Sequence, residues 1–354
     1  MSLFACISSI YLKNYYRMYE QHVEKNREPL YVIGNGWSSY FFLKNINKRL
    51  YRPIVISPNE MGLNTSKLVD YLDSYNDTSL SLPKVPKTLY IRDSLTKIDE
   101  KNQRIYTEKG KTIPYKKIVL AIGSKVNDFG VPGVLKESFF YRSLDDRLQL
   151  QKKLVEKNYQ KINIIGSGPV GIELAFKLKY QGHDVHIWEG LNDILPGFSP
   201  ETKREVRSKM NLVGINYSLN RPIVKVSKNY VYPSGSPLHP HDFSIWTGGI
   251  KRIKIPFTSF EPSSNKVNEK FEIYPNVYCI GDMVEGRGPP TAQNAKYQAK
   301  WLANHLNGKK QKEYIPSEVG KIIHIDDKIY LESKFYQGYL PSFFQKWIDW
   351  FYLL

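Results

Sequence analysis

Short apolar runs recur along the chain, and several of them end at glycine. "PLYVIGNGWSSYFFLKNI" (29–46) has the pattern of a buried strand, a tight turn and a helix, and "RPIVIS" (52–57) follows as a second strand. Residues 58–86 are polar and turn-rich, with a short helix expected around Ser66–Tyr75. "TLYIRDSLTKID" and "RIYTEKGKTIPY" alternate like exposed strands, the latter with a Lys-Gly hairpin signal. "KIVLAIGS" (117–124) is a buried strand running into glycine, and "SLDDRLQLQKKLVEK" is a helix opened by Ser143. "KINIIGSGPVGIELAFKLKYQGHDVHIWEG" (161–190) repeats the strand–turn–helix–strand design. A capped helix (199–214), the strand "FSIWTGGI" (243–250), the strand "YPNVYCIGDM" (274–283) and a helix over 289–308 complete the pattern. Strands alternating with helices predict α/β sheets covered on both faces.

The two glycine turns carry the first chemical signal. Gly166, Gly168 and Gly171 follow a strand and open a helix, the arrangement that lets a backbone turn tightly and approach a pyrophosphate. Eighteen residues after Gly171 stands Glu189, positioned at a strand end to accept hydrogen bonds from an adenosine ribose. No arginine follows it closely, so NADH is expected over NADPH. The earlier turn has Gly34 and Gly36 but Ser39 in third place, and its second strand ends at Ser57 instead of an acid. Gly281-Asp282, at the end of another strand, suits the ribityl and pyrophosphate end of a flavin.

Composition narrows the choices. The 354 residues allow about two domains, and 51 basic against 34 acidic side chains give a net charge of +17, which attracts anions. No basic-aromatic recognition motif or helix-turn-helix pattern accompanies the charge, so no nucleic-acid partner is expected. Two cysteines, Cys6 and Cys279, make neither a disulfide framework nor a Cys-x-x-Cys redox pair, and no metal-ligand spacing is evident. No run approaches the ~20 apolar residues that span a bilayer. Residues 1–29 form an extension with an aromatic stripe. The tail "PSFFQKWIDWFYLL" puts Phe344, Trp347, Ile348 and Phe351 on one helical stripe. At ~1.5 Å per residue it reaches about 21 Å, short of a ~30 Å hydrocarbon core, which favours lying in the membrane interface.

On "VIGNGWSSYFFLKNI", "VISPN", "LAIGSKVNDFGVPGV", "SGPVGIELA", "IWTGGI", "NVYCIGDM" and "PPTAQNAKYQAKWLANHL", the chain resembles the two-dinucleotide-domain flavoproteins. Within them it is most similar to the type II NADH:quinone oxidoreductases. The resemblance runs from about residue 30 to 308. It implies an α/β fold of two Rossmann-like dinucleotide-binding domains. FAD would be held by residues 30–130 and 275–308, with an inserted NADH domain over 131–274. A C-terminal segment over 309–354 would associate with the membrane.

The resemblance also assigns roles. Gly34, Gly36, Trp37, Ser39, Ser57, Gly123, Gly281, Asp282, Thr291 and Ala292 would contact FAD, and Gly166, Gly168, Gly171, Glu189 and Gly248 would contact NADH. Glu173 matches a glutamate that lies beside the nicotinamide. Gln293 matches the first glutamine of the family's Ala-Gln-x-Ala-x-Gln stretch, which faces the quinone, and Tyr297 replaces the second, with Gln298 after it. A further departure lies at "NEMGLN" (59–64), where the family carries an arginine and aromatics. The implied protein is a non-pumping NADH:quinone oxidoreductase using ubiquinone or menaquinone. It would be a peripheral, monotopic protein of a mitochondrial inner or bacterial-type cytoplasmic membrane, and a homodimer is compatible with this. The alternative is a soluble flavoprotein of the ferredoxin-reductase or apoptosis-inducing-factor kind, reducing a protein acceptor or oxygen.

Overall fold

The computed structural model describes residues 27–73, 80–259, 264–316, 320–326, 328–333 and 336–341. The N-terminal stripe within residues 1–26, Cys6, and the C-terminal stripe of Phe344, Trp347, Ile348 and Phe351 lie outside the described residues. In chain order the first elements are β1 (Glu28–Ile33), α1 (Trp37–Asn45), β2 (Tyr51–Ser57), β3 (Leu89–Arg92) and β4 (Lys117–Leu120). Then come α2 (Leu144–Leu154), β5 (Lys161–Ile165), α3 (Pro169–Tyr180), β6 (Asp184–Trp188), α4 (Pro200–Val213), β7 (Asn216–Ser218) and β8 (Phe243–Trp246). The chain closes with β9 (Glu272–Tyr274), β10 (Val277–Cys279), α5 (Ala292–Leu306), β11 (Gly320–Ile325), β12 (Lys328–Ser333) and β13 (Gln337–Pro341).

Two compact units form. Of the described residues, the first contains 27–62, 82–123, 252–259 and 264–316. Its six-stranded sheet has the order β9-β10-β4-β1-β2-β3, with β1 parallel to both β2 and β4. Val32 sits in register with Val55 on one side and Val119 on the other, and all three are buried. Such strands read as continuous apolar runs because both faces of a parallel sheet are covered. Ile33, Ile56, Leu120, Val277 and Cys279 share one core cluster.

Of the described residues, the second unit contains 63–73, 80–81, 124–251, 320–326, 328–333 and 336–341. Its main sheet runs from the short strand Ser138–Phe139 through β8, β5, β6 and β7, all parallel. Ile164 is in register with Ile187 and Ile245, at the centre of a cluster that also takes in Ile172 and Val206. The antiparallel sheet β11-β12-β13 joins this unit, with Ile323 and Tyr330 in the same cluster.

The boundaries differ from the sequence expectation in several places, residues 124–130 falling with the second unit and 309–316 with the first. Residues 252–274 belong with the first unit, because β9 pairs with β10 and Ile98 bridges Phe257. Residues 63–81 belong with the second, where Leu68, Val69, Leu72 and Leu80 enter its core. Of the helix expected at Ser66–Tyr75, the described part is a single 3-10 turn at Thr65–Lys67 followed by turns as far as Asp73, and Ser74 and Tyr75 lie outside the described residues. Its carbonyls are taken by distant donors: Tyr141 Oη binds Leu68 O at 2.8 Å, Arg147 Nη1 binds Tyr71 O at 2.8 Å, and Gln151 Nε2 binds Leu72 O at 2.5 Å. A carbonyl committed to a tertiary donor is a poorer partner for the next helical turn.

Candidate functional site

Each glycine turn is built by a backbone approach that excludes a side chain. Gly34 has φ +104°, and a Cβ there would lie 2.3 Å from the carbonyl oxygen of Ala121. Gly166 has φ +108°, and a Cβ there would lie 2.8 Å from Thr247 backbone atoms. The third positions diverge. A Cβ on Gly171 would meet Gly166 O at 2.2 Å, so α3 packs there on bare backbone. Ser39 in the first turn is fully buried, and its hydroxyl donates to Gly34 O at 2.8 Å. In the second turn Thr247 Oγ1 makes the equivalent bond to Gly166 O, also at 2.8 Å.

Between these contacts, Gly36 and Gly168 face open space, with no atom within 4 Å of a Cβ at either. Both are helix N-caps, of α1 and α3, and neither helix has a side-chain cap. The other long helices do: Ser143 caps α2 with a reciprocal bond from Asp146, Ser199 caps α4, and Thr291 caps α5. A helix N-terminus carries unsatisfied N–H groups and positive dipole potential, and with a bare glycine in front of it forms a pyrophosphate cradle. The residues present therefore fit one dinucleotide phosphate group in each unit.

The surrounding residues fall into place unevenly. Trp37 opens α1 and stacks on Phe41, ring centres 5.7 Å apart. Ser57 is buried, and its hydroxyl accepts the Asn59 N–H at 3.2 Å. Gly123 has φ +72° with open space around it, while Gly248 lies 3.1 Å, Cβ position to ring, from Trp246. Gly281 has φ +82° and packs on Ser38, and its N–H donates to the side-chain oxygen of Gln298 at 2.7 Å. Asp282 is half-buried in the turn that Val284 N–H closes onto Gly281 O at 3.0 Å. Thr291 spends its hydroxyl on the Asn294 N–H at 3.2 Å, just ahead of Ala292.

Gln293 and Tyr297 are both half-buried and stand four residues apart on α5, hence on one face. Gln298 is turned the other way. It is buried, and its amide donates to Arg287 O at 2.9 Å while its oxygen holds Gly281. Asn294 is its partner in structure: its amide binds Arg287 O and Pro289 O, and its oxygen accepts Tyr314 Oη at 2.6 Å. These two residues shape the Gly-Asp loop. Their sequence signal is a pair of amides on the buried stripe of α5, among Ala295, Ala299 and Leu302.

Glu189 is buried and faces inward. One carboxylate oxygen accepts the N–H and hydroxyl of Ser167, at 2.8 and 2.5 Å, and the other accepts the Leu191 N–H at 2.9 Å. It thus braces the glycine turn from below. Glu173 lies on α3 in the second unit, and its carboxylate accepts the His324 N–H of β11 at 3.0 Å. It borders a cavity of about 360 Å³, lined also by Asp70, Asp73, Phe176, Lys177 and His324. Burial pushes its pKa up to about 7, against the opposing pull of His324. Cys279 is fully buried, and burial raises its thiol far above the reactive range. Among the described residues no cluster of side chains could hold a metal ion.

A family model described as pyridine nucleotide-disulphide oxidoreductase matches residues 28–299. A probable NADH dehydrogenase of Dictyostelium discoideum is 27% identical, over 79% of this chain and 73% of its own length. The external alternative NADH-ubiquinone oxidoreductase of Yarrowia lipolytica mitochondria is 24% identical over 84% of this chain, which spans 62% of that enzyme. Among solved structures, NDH2 from Plasmodium falciparum in complex with NADH matches with a TM-score of 0.80 at 18% identity, covering 93% of this chain and 95% of the other. A ferredoxin reductase from Rhodopseudomonas palustris matches at 0.77 and 18% identity, covering 86% and 82%. The fold shared with both is that of a two-dinucleotide-domain flavoprotein.

A pH prediction follows from Glu173. Its folded pKa lies above the ordinary 4.5, so the native state binds more protons than the unfolded one between about 4.5 and 7, and stability falls as pH rises through that window. Glu173→Gln keeps an acceptor for the His324 N–H and removes the charge. The variant is expected to gain stability relative to the parent as pH rises from 4.5 to 7 and to hold that gain above it. Urea denaturation at a series of pH values checks this; a difference that does not change with pH contradicts it.

Proposed function

The chain belongs to the pyridine nucleotide-disulphide oxidoreductase family, and from that premise we propose that it is a FAD-dependent enzyme passing two electrons from NADH to a membrane quinone, without pumping protons. The carrying observation is the pair of uncapped helix N-termini, α1 and α3, each behind a glycine open to a ligand. One dinucleotide phosphate group in each unit is what a flavin and a nicotinamide coenzyme require. When bound, the flavin supplies the hydride-accepting centre and relays the electrons onward.

The protein's own residues position and select. The N–H groups opening α1 and α3 hold the two pyrophosphates, and Ser39 and Thr247 lock the first carbonyl of each turn. Gln298 and Asn294 fix the loop that carries Asp282. Glu173, half-buried with a pKa near neutrality, orients the nicotinamide end of the coenzyme. A dithiol relay to a disulfide substrate has no pair to run on: the sequence's two cysteines are Cys6 and a fully buried Cys279. The acceptor is instead a quinone, met by Gln293 and Tyr297 on one face of α5. Tyrosine supplies both a hydrogen-bond donor for a quinone carbonyl and an aromatic wall. The name of the Yarrowia relative, an NADH-ubiquinone oxidoreductase, agrees with this acceptor, and that of the Dictyostelium relative, an NADH dehydrogenase, with the donor.

Membrane contact is assigned to the tail stripe of Phe344, Trp347, Ile348 and Phe351. Among the described residues no helix is long and apolar enough to cross a membrane. Association at the interface suits a lipid-soluble acceptor.

Two outcomes test the acceptor and the tail. Tyr297→Phe is expected to lower kcat/KM for a short-chain ubiquinone analogue about tenfold relative to ferricyanide, the loss of one hydrogen bond to the acceptor; an unchanged ratio removes Tyr297 from the quinone site. A parent protein that reduces ferredoxin rapidly and quinones poorly supports the soluble-reductase alternative. Removal of residues 342–354 is expected to shift the protein from sedimenting membranes to the supernatant while NADH:ferricyanide activity persists; undiminished sedimentation contradicts the tail assignment.

A further inference from the structure

The sequence alone finds an acid at the ribose end of the second turn and no arginine near it. The sheet changes that neighbourhood. β6 and β7 pair in parallel with Trp188 opposite Ser218, and the pairing continues past both strand ends. Glu189 N–H donates to Ser218 O at 2.9 Å, Arg221 N–H donates to Glu189 O at 2.9 Å, and Asn220 N–H donates to Leu191 O at 2.8 Å. Asn220, at φ +53°, makes the bend that permits this. The next residue, Pro222, packs 3.4 Å from the Cβ position of Gly190. An arginine 32 positions along the chain from Glu189 is therefore anchored by its own backbone beside that residue.

The charges of this rim are sorted by direction. Glu189 spends its carboxylate on Ser167 and Leu191. Asp193 is ion-paired with Arg207, lies 3.8 Å from Lys203, and accepts the Ile194 N–H at 2.9 Å. Both acids are thus turned onto protein donors. Arg221 is exposed, and its guanidinium donates to the carbonyl of adjacent Asn220 at 3.2 Å. A guanidinium exchanges such a neutral, solvent-facing contact readily for phosphate, which it grips with two parallel hydrogen bonds.

We infer that Arg221 forms a subsite for the 2′-phosphate of a nicotinamide dinucleotide, so that the enzyme takes NADPH as well as NADH. The inference deepens the proposed function and rests on it for the site of the coenzyme in the second unit. The repulsion expected from Glu189 is weakened because its charge is already shared among three donors, and the attraction comes from a loop that the sequence places far away.

The test uses the full-length flavoprotein with ferricyanide as acceptor. The measured quantity is the ratio of kcat/KM for NADPH to that for NADH, in the parent and in Arg221→Ala, Arg221→Lys and Arg221→Glu. A ratio cancels any general loss of folded enzyme. The parent is expected to turn over NADPH. The ratio is expected to fall about tenfold or more in the alanine variant, further in the glutamate variant and less in the lysine variant. Competition supplies a second readout: 2′,5′-ADP is expected to inhibit NADH oxidation more tightly than 5′-AMP in the parent and to lose that advantage in Arg221→Ala. Turnover of NADH with none of NADPH, or a ratio that the substitutions leave unmoved, overturns the inference alone. Turnover of neither coenzyme overturns the proposed function and the inference with it.

Discussion

At Gly34 and Gly166 one stretch of backbone lies so close to another that a single methyl group would collide with it, at 2.3 and 2.8 Å. Everything else in the proposed chemistry depends on those two approaches. They let the chain turn sharply from strand to helix, so that α1 and α3 start behind Gly36 and Gly168, where a Cβ would meet no atom within 4 Å and no side chain caps the helix. Among the described residues the other long helices have their starts satisfied by Ser143, Ser199 and Thr291. Leaving two starts bare has a stability cost of about 1 kcal/mol each by the ordinary worth of a cap, a cost that a bound anion offsets.

The two turns reach the same geometry by different means. One packs helix on backbone through Gly171 and locks its first carbonyl from a neighbouring strand with Thr247. The other tolerates Ser39 because the serine hydroxyl itself locks that carbonyl from the helix. A serine in the third position is therefore an alternative solution and not a degraded motif. The same economy governs acids and amides nearby: Glu189 and Gln298 stabilise the loops that shape each pocket, and the faces presented outward belong to other side chains.

Local signals in the sequence were sufficient for the strands, the capped helices and the glycine turns, because each of those depends on residues within a few positions of one another. Features set by distant partners were not legible. The helix expected at Ser66–Tyr75 gives way to turns because Tyr141, Arg147 and Gln151 take its carbonyls from more than 70 residues away. The segment around Phe257 joins the first unit through a bridge to Ile98, far upstream in the chain. Glu189 is at the strand end where the spacing placed it, yet its orientation depends on Ser167 and Leu191, and the arginine beside it arrives from the far side of α4 in sequence. Spacing locates a side chain, and packing decides which way it faces.

The central claim is that one chain holds a flavin and a nicotinamide coenzyme on its two bare helix starts and moves a hydride between them. Anaerobic titration of the purified protein with NADH, followed by the flavin absorbance, tests it most directly. The account predicts one flavin per chain, bleached completely by about one equivalent of NADH. A folded preparation that binds no flavin, or a bound flavin that stays oxidised in excess NADH, would contradict it.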